Sequence, residues 1–132
     1  MGLDMYWEYN KPRTFEGFDG KEHHAETSNL HYWRKHNALH GWFERLWEEK
    51  TPLEDQKGDF NCEPVEVDLH DLRRLREDIM AGRLEPTAGF FFGSTDYSDE
   101  EWAWVKRDAA EFIMKAHHAI NDGYKVYYNS WW

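Results

Sequence analysis

Apolar positions along this chain recur with two spacings, and each spacing predicts a kind of element. Residues 3–9, Leu-Asp-Met-Tyr-Trp-Glu-Tyr, alternate loosely, as a half-buried strand requires. Residues 10–27 are rich in glycine, charge and histidine and predict a loop or a poorly formed hairpin. A first helix is expected from Ser28 or Asn29, both good N-cap residues, to about Lys50, just before Pro52. At ~100° per residue, Tyr32, His36, Leu39, Phe43, Leu46 and Trp47 then share one core-facing stripe. Arg34, Arg45 and Glu49 fall opposite, toward water.

Residues 51–63 are a polar connection leading to a short strand in Pro64-Val65-Glu66-Val67. A second helix is expected from an Asp68 cap. It carries Leu69, Leu72, Leu75 and Ile79 at helical spacing, with Gly82 as its stop. The run Gly89-Phe90-Phe91-Phe92-Gly93 predicts a buried strand. Ser98 with Glu101 three residues later forms a capping box. The third helix behind it puts Trp102, Val105, Ala109, Phe112, Ile113, Ala116 and Ile120 on one side and ends at Gly123. Residues 124–132 read as a final strand, in which Tyr124, Val126, Tyr128 and Ser130 alternate with Lys125, Tyr127 and Asn129. The pattern predicts an α+β fold: one domain over residues 1–132, with a small sheet of about four strands and three helices packed on it.

Composition explains how so few aliphatic residues can build a core. The 132 residues include 8 Trp, 8 Phe and 7 Tyr, and each aromatic ring can bury roughly 150–250 Å². Lys+Arg 16 against Asp+Glu 26 gives a net charge of −10. Covering phosphates needs the opposite balance, so direct nucleic-acid binding is disfavoured, as is attraction to an anionic membrane. The lone Cys62 excludes an internal disulfide and a cysteine-rich zinc site. No basic, apolar leader is visible, and no apolar stretch approaches the ~20 residues of a membrane span. The expected location is the cytoplasm.

Candidate chemistry gathers in two places. If the first helix begins where its caps suggest, Trp33, Asn37, His40 and Glu44 stand at i, i+4, i+7 and i+11 and form one polar ridge beside the apolar stripe. Asparagine offers a donor and an acceptor, histidine exchanges a proton near neutral pH, and tryptophan gives a flat surface for a base or sugar. The bland reading is that Asn37 and His40 satisfy buried backbone groups. The second place is Ser94-Thr95-Asp96-Tyr97, where Ser94 and Tyr97 are the residues drawn toward a ligand site, and Tyr128, Ser130 and Trp131 can complete the same wall. Asp99-Glu100-Glu101 would repel a phosphate from the third helix, and there is no GxxxxGK loop. Eight histidines raise the question of a metal. Glu22-His23-His24, His31/His36/His40 and His117-His118 lack a chelating arrangement, because adjacent histidines diverge and His36 points into the apolar stripe. No metal and no cofactor are expected. Cys62 has acidic neighbours, which disfavour a thiolate, and Ser94 lacks a GxSxG elbow.

Three blocks carry a resemblance. Met1-Gly2-Leu3-Asp4-Met5-Tyr6 is one. Tyr32-Trp33-Arg34-Lys35 with Asn37, His40, Trp42 and Phe43 is another. The third is Pro86-Thr87, Gly89-Phe90-Phe91-Phe92-Gly93-Ser94-Thr95 and Tyr97, closing on Tyr127-Tyr128 with Ser130-Trp131. Together they are similar to a family of uncharacterised proteins of bacteriophages and prophages. This chain departs from the family's pattern in having a shorter segment before the first helix, and in having His36 where the family has a small residue. The resemblance therefore implies that His36 is not a group the family shares. It implies a viral origin, hence the host cytoplasm, and little chemistry. The leading expectation is a phage accessory protein that binds a host protein or a small nucleotide-like ligand and counters a host defence, with acidic mimicry of nucleic acid as one variant. The alternatives are a small nucleotide-processing enzyme with His40 as acid/base and Arg34 or Lys35 holding an anion, and a structural or assembly component of a virion. In the enzyme reading, helical angles turn Arg34 away from His40.

Overall fold

The computed structural model describes residues 2–10, 14–16, 22–24, 28–56, 58, 60–84 and 97–132. Its framework is a four-stranded antiparallel sheet in the order β4-β1-β6-β5. The strands are β1 (Asp4–Asn10), β4 (Ser28–Arg34), β5 (Val65–Val67) and β6 (Lys125–Trp131). Strands β2 (Thr14–Glu16) and β3 (Glu22–His24) pair with each other as a separate hairpin. The helices are α1 (Asn37–Lys50), α2 (Leu69–Met80) and α3 (Asp99–Asn121), with a 3-10 turn at Leu53–Asp55. The expected α+β class, the four-stranded sheet and the three helices are all present.

Alternation decides which face of the sheet is covered. Trp7 pairs with His31 on one side and with Tyr128 on the other, and Met5 pairs with Trp33 and Ser130. Residues opposite one another in neighbouring strands point to the same face. Leu3, Met5, Trp7, Trp33, Val126, Tyr128, Val65 and Val67 are therefore buried together. The helices close this face. Phe43 of α1 stacks on Tyr128 with ring centroids 4.0 Å apart, and Phe112 of α3 meets Trp33 edge-on at 4.7 Å. Leu72, Leu75 and Ile79 of α2 complete the core.

Two expectations need correction. The first helix begins at Asn37, and residues 28–34 are strand β4. Ser28 and Asn29 are competent caps, but the residues behind them include Tyr32 and Trp33, which suit a pleated surface. Pairing them with β1 also gives that strand its second hydrogen-bonded neighbour, which no cap could supply. Tyr32 consequently leaves the core stripe and is half exposed. The chain turns from β4 into α1 through Lys35, at φ 56, whose N–H donates to the Leu3 carbonyl at 2.8 Å. Second, the element order opens with four strands rather than alternating strand and helix. Of the loop or poorly formed hairpin expected over residues 10–27, the β2–β3 pair is the hairpin. The strand expected at Phe90–Phe92 lies outside the described residues.

The second and third helices start where their caps indicate. Asp68 accepts from the Asp71 N–H at 2.9 Å, and Asp71 accepts in return from the Asp68 N–H at 3.1 Å, closing a reciprocal box. Asp71 also holds the Lys50 ammonium, which reaches the Glu66 carbonyl at 2.6 Å, so one carboxylate joins α1, β5 and α2. Ser98 caps α3, accepting from the Glu101 N–H at 3.2 Å. Replacing Asp68 by Ala should cost about 1 kcal/mol, the usual worth of an N-cap. Urea unfolding would measure it; an unchanged midpoint would mean that α2 is held by packing alone.

Candidate functional site

The end of β4 and the start of α1 meet the first turns of α3 around a cavity of about 400 Å³. Tyr32, Trp33 and Trp104 supply aromatic walls, and Arg34, Lys35, His36, Tyr97 and Glu101 supply polar groups. A strand end places these side chains together: Tyr32 and Arg34 project from the outer face of β4, Trp33 from the inner face, and Lys35 bends the chain so that His36 follows directly. Among the described residues neither Arg34 nor Lys35 makes an ion pair. Among the described residues Glu101 is the one carboxylate on the lining, and the Ser98 hydroxyl donates to it at 3.2 Å.

His36 and Tyr97 are hydrogen-bonded to each other. The Ala38 N–H donates to the Tyr97 hydroxyl at 3.3 Å, and that hydroxyl lies 2.8 Å from His36 Nδ1. Burial holds Tyr97 protonated, pushing its pKa up to about 12, and burial holds His36 neutral, lowering its pKa to about 4. The other ring nitrogen, His36 Nε2, is buried and has no hydrogen-bond partner among the described residues. His36 occupies the N-cap position of α1 without capping it through its side chain. Tyr97 performs that task from a distant segment by accepting the Ala38 N–H.

The six residues expected at a site are divided by the fold. Trp33 and Tyr97 both line the cavity. Trp33 does so from a strand, so it does not continue a helical ridge through Asn37, His40 and Glu44. Those three lie on α1, with Asn37 and His40 buried and Glu44 half-buried. His40 accepts from, or donates to, the Tyr128 hydroxyl at 2.6 Å and packs against Phe60 and Trp132 at 5.3 and 4.9 Å. Burial lowers its pKa to about 4. Burial also raises Tyr128 far above the ordinary phenol range. Ser94 lies outside the described residues. Arg34, Lys35, Tyr32 and Trp104 complete the cavity. The helical angles that turn Arg34 away from His40 do not apply to a strand, and nothing in local sequence marks Trp104 or Tyr32 as neighbours of Tyr97.

A larger cavity of about 550 Å³ between α1 and α2 also carries charge, from Arg45, Glu49, Arg74, Asp78 and Arg83. Glu49, Arg74, Asp78 and Arg83 pair with one another. Arg74 forms a two-pronged pair with Glu49 at 3.1 and 3.0 Å. Asp78 accepts from the Trp42 indole at 2.9 Å and from Arg83 at 3.3 Å. Such a network fastens helices together.

The chain matches no family model, no curated protein and no solved structure. Among the described residues, no helix is long and apolar enough to cross a membrane.

Proposed function

We propose that this chain is a small accessory protein, of the phage kind that its motifs resemble, which binds a small anionic ligand with a flat ring system in the cavity at the end of β4. The observation that carries this reading is the joining of two cations, Arg34 and Lys35, which make no ion pair among the described residues, with the unpartnered Nε2 of His36 beside the Trp33, Tyr32 and Trp104 rings. Cations recognise a phosphate or carboxylate, and aromatic faces recognise a base. The positive end of the α1 dipole adds to the attraction. One carboxylate against two cations leaves the lining net positive, although the protein as a whole is acidic. No nucleophile or metal is needed for binding, and sequestering such a ligand without turning it over is a sufficient way to blunt a host response.

Nucleoside monophosphates titrated against tryptophan fluorescence test this. Saturable quenching is expected, stronger than with inorganic phosphate and weakened by salt. Charge-assisted hydrogen bonds contribute ~1.5–3 kcal/mol each, so Arg34→Ala combined with Lys35→Ala should weaken binding by about 100-fold or more. Binding that is absent for every nucleotide, or unchanged in the double variant, would remove the proposal.

A further inference from the structure

On the other side of Trp33 from the cavity, His31 of β4 faces two carboxylates of α3. Asp108 and Glu111 stand at i and i+3 and so share one face of the helix. One ligand atom from each of His31, Asp108 and Glu111 lies within 4.8 Å of the others. We propose that these three residues form a binding site for a divalent transition-metal ion of the zinc type.

The parts of the site are already oriented. Asp108 has a mostly buried carboxylate, with His31 Nε2 at 2.8 Å from Oδ1 and the Trp33 indole N–H donating to Oδ2 at 2.6 Å. A ligand carboxylate held by an outer N–H is the arrangement that steadies metal sites. The His31 ring is fixed edge-on against Trp33 at 4.8 Å and against Phe112 at 6.0 Å. Glu111 is the movable third arm: it is half exposed and pairs with Lys115 through Oε1 at 3.1 Å. An i,i+4 pair of this sort is worth only ~0.2–0.5 kcal/mol, too little to withhold the carboxylate from a metal. Lys115 has a second acceptor in the Leu30 carbonyl at 3.3 Å. Zinc–ligand bonds of ~2.0–2.2 Å place neighbouring ligands roughly 3.3–3.6 Å apart, so a rotation of Glu111 closes the set. Binding replaces the hydrogen bond between His31 Nε2 and Asp108 Oδ1 by the metal: the one ring proton of the neutral imidazole is carried on Nδ1, and Nε2 and Oδ1 bond the ion. One imidazole and two carboxylates suit zinc or manganese better than magnesium, which favours oxygen ligands and keeps its water. Three protein ligands leave a position open to water.

Calorimetric titration of the protein with Zn²⁺ at about pH 7, with Mg²⁺ as control, decides the matter. One saturable Zn²⁺ site per chain is expected, with a change in tryptophan emission reported by Trp33. Glu111→Gln, at an exposed position that does not affect folding, should weaken it about 10- to 100-fold, and His31→Gln should abolish it. Changing the exposed pair His117→Asn and His118→Asn should leave that site unchanged, as should Lys35→Ala in the neighbouring cavity. The site is overturned if Zn²⁺ binds Glu111→Gln as tightly as the parent, if the same event survives His31→Gln, or if no saturable event occurs.

Discussion

Trp7→Ala should remove a large part of the folding stability and lower the melting temperature by roughly 10–25 °C. Trp7 is fully buried near the middle of β1, which is itself flanked by β4 and β6. Its ring touches Phe43 of α1 at 5.5 Å, Phe112 of α3 at 5.7 Å and Trp33 of β4 at 6.1 Å. The indole N–H donates to the Phe112 carbonyl at 2.9 Å. A single side chain thus bonds the sheet to α3 and fills the space between α3 and α1. Truncating a buried tryptophan costs about 3–5 kcal/mol, against a total of ~5–15 kcal/mol for a domain. Trp7→Phe keeps most of the apolar volume but loses the donor and one ring, so a smaller loss of about 1–2 kcal/mol is expected. Thermal and urea unfolding of the two variants would rank them. A cost below about 1 kcal/mol for Trp7→Ala would show that the aromatic cluster is not what joins the layers.

Tryptophans of this kind explain why the architecture could be read from the chain while the site could not. The stripe Leu39, Phe43, Leu46 and Trp47 of α1 is buried as its spacing required, as are Leu72, Leu75 and Ile79 of α2 and Val105, Ala109, Phe112, Ile113 and Ala116 of α3. Val126, Tyr128 and Ser130 alternate inward on β6. Local chemistry also located the Asp68 and Ser98 caps. Residues 28–36 misled because caps, an aromatic and a histidine at helical spacing occur in a segment whose fate is set by a partner strand far away in sequence. Whether β1 acquires a neighbour on that side is a long-range question that no local period records. The positive φ of Lys35 gives no sign in advance, since lysine has no preference for that conformation.

That one boundary controlled the candidate site. With residues 28–34 in a helix, Trp33 belongs with Asn37, His40 and Glu44, and Arg34 points away from them. With those residues in β4, Trp33 and Arg34 instead join Tyr97 and Trp104 around the cavity, and His31 meets Asp108. Tyr97, which its place before α3 draws toward a ligand site, lines this cavity. Its partner there is His36 rather than His40.

The two buried histidines make the fold acid-sensitive, and stability should fall steeply between about pH 6.5 and 4. His36 and His40 are both held neutral by burial, with pKa values lowered from 6.5 to about 4. In the unfolded chain each takes up a proton as pH drops through ~6.5, whereas in the folded chain neither does until about pH 4. The unfolded state thus binds more protons throughout this window, so their contribution is complete above pH 6.5 and is lost as pH falls to the folded value. The linkage amounts to about 2 kcal/mol per histidine at pH 5 and about 3 kcal/mol at pH 4. The two together approach the whole stability of a marginal domain. Gln at either position cannot titrate, so His36→Gln and His40→Gln should each flatten the pH dependence by up to about 1.4 kcal/mol per pH unit across the window, whatever they cost at pH 7. Urea unfolding at a series of pH values would show this; equal slopes in parent and variants would mean that the imidazoles titrate freely in the folded protein. The two should differ in one respect. His36 lines the cavity, where a bound anion would favour the imidazolium, so a ligand bound there should lessen the acid loss carried by His36. His40, enclosed by Phe60, Trp132 and Tyr128, should not respond.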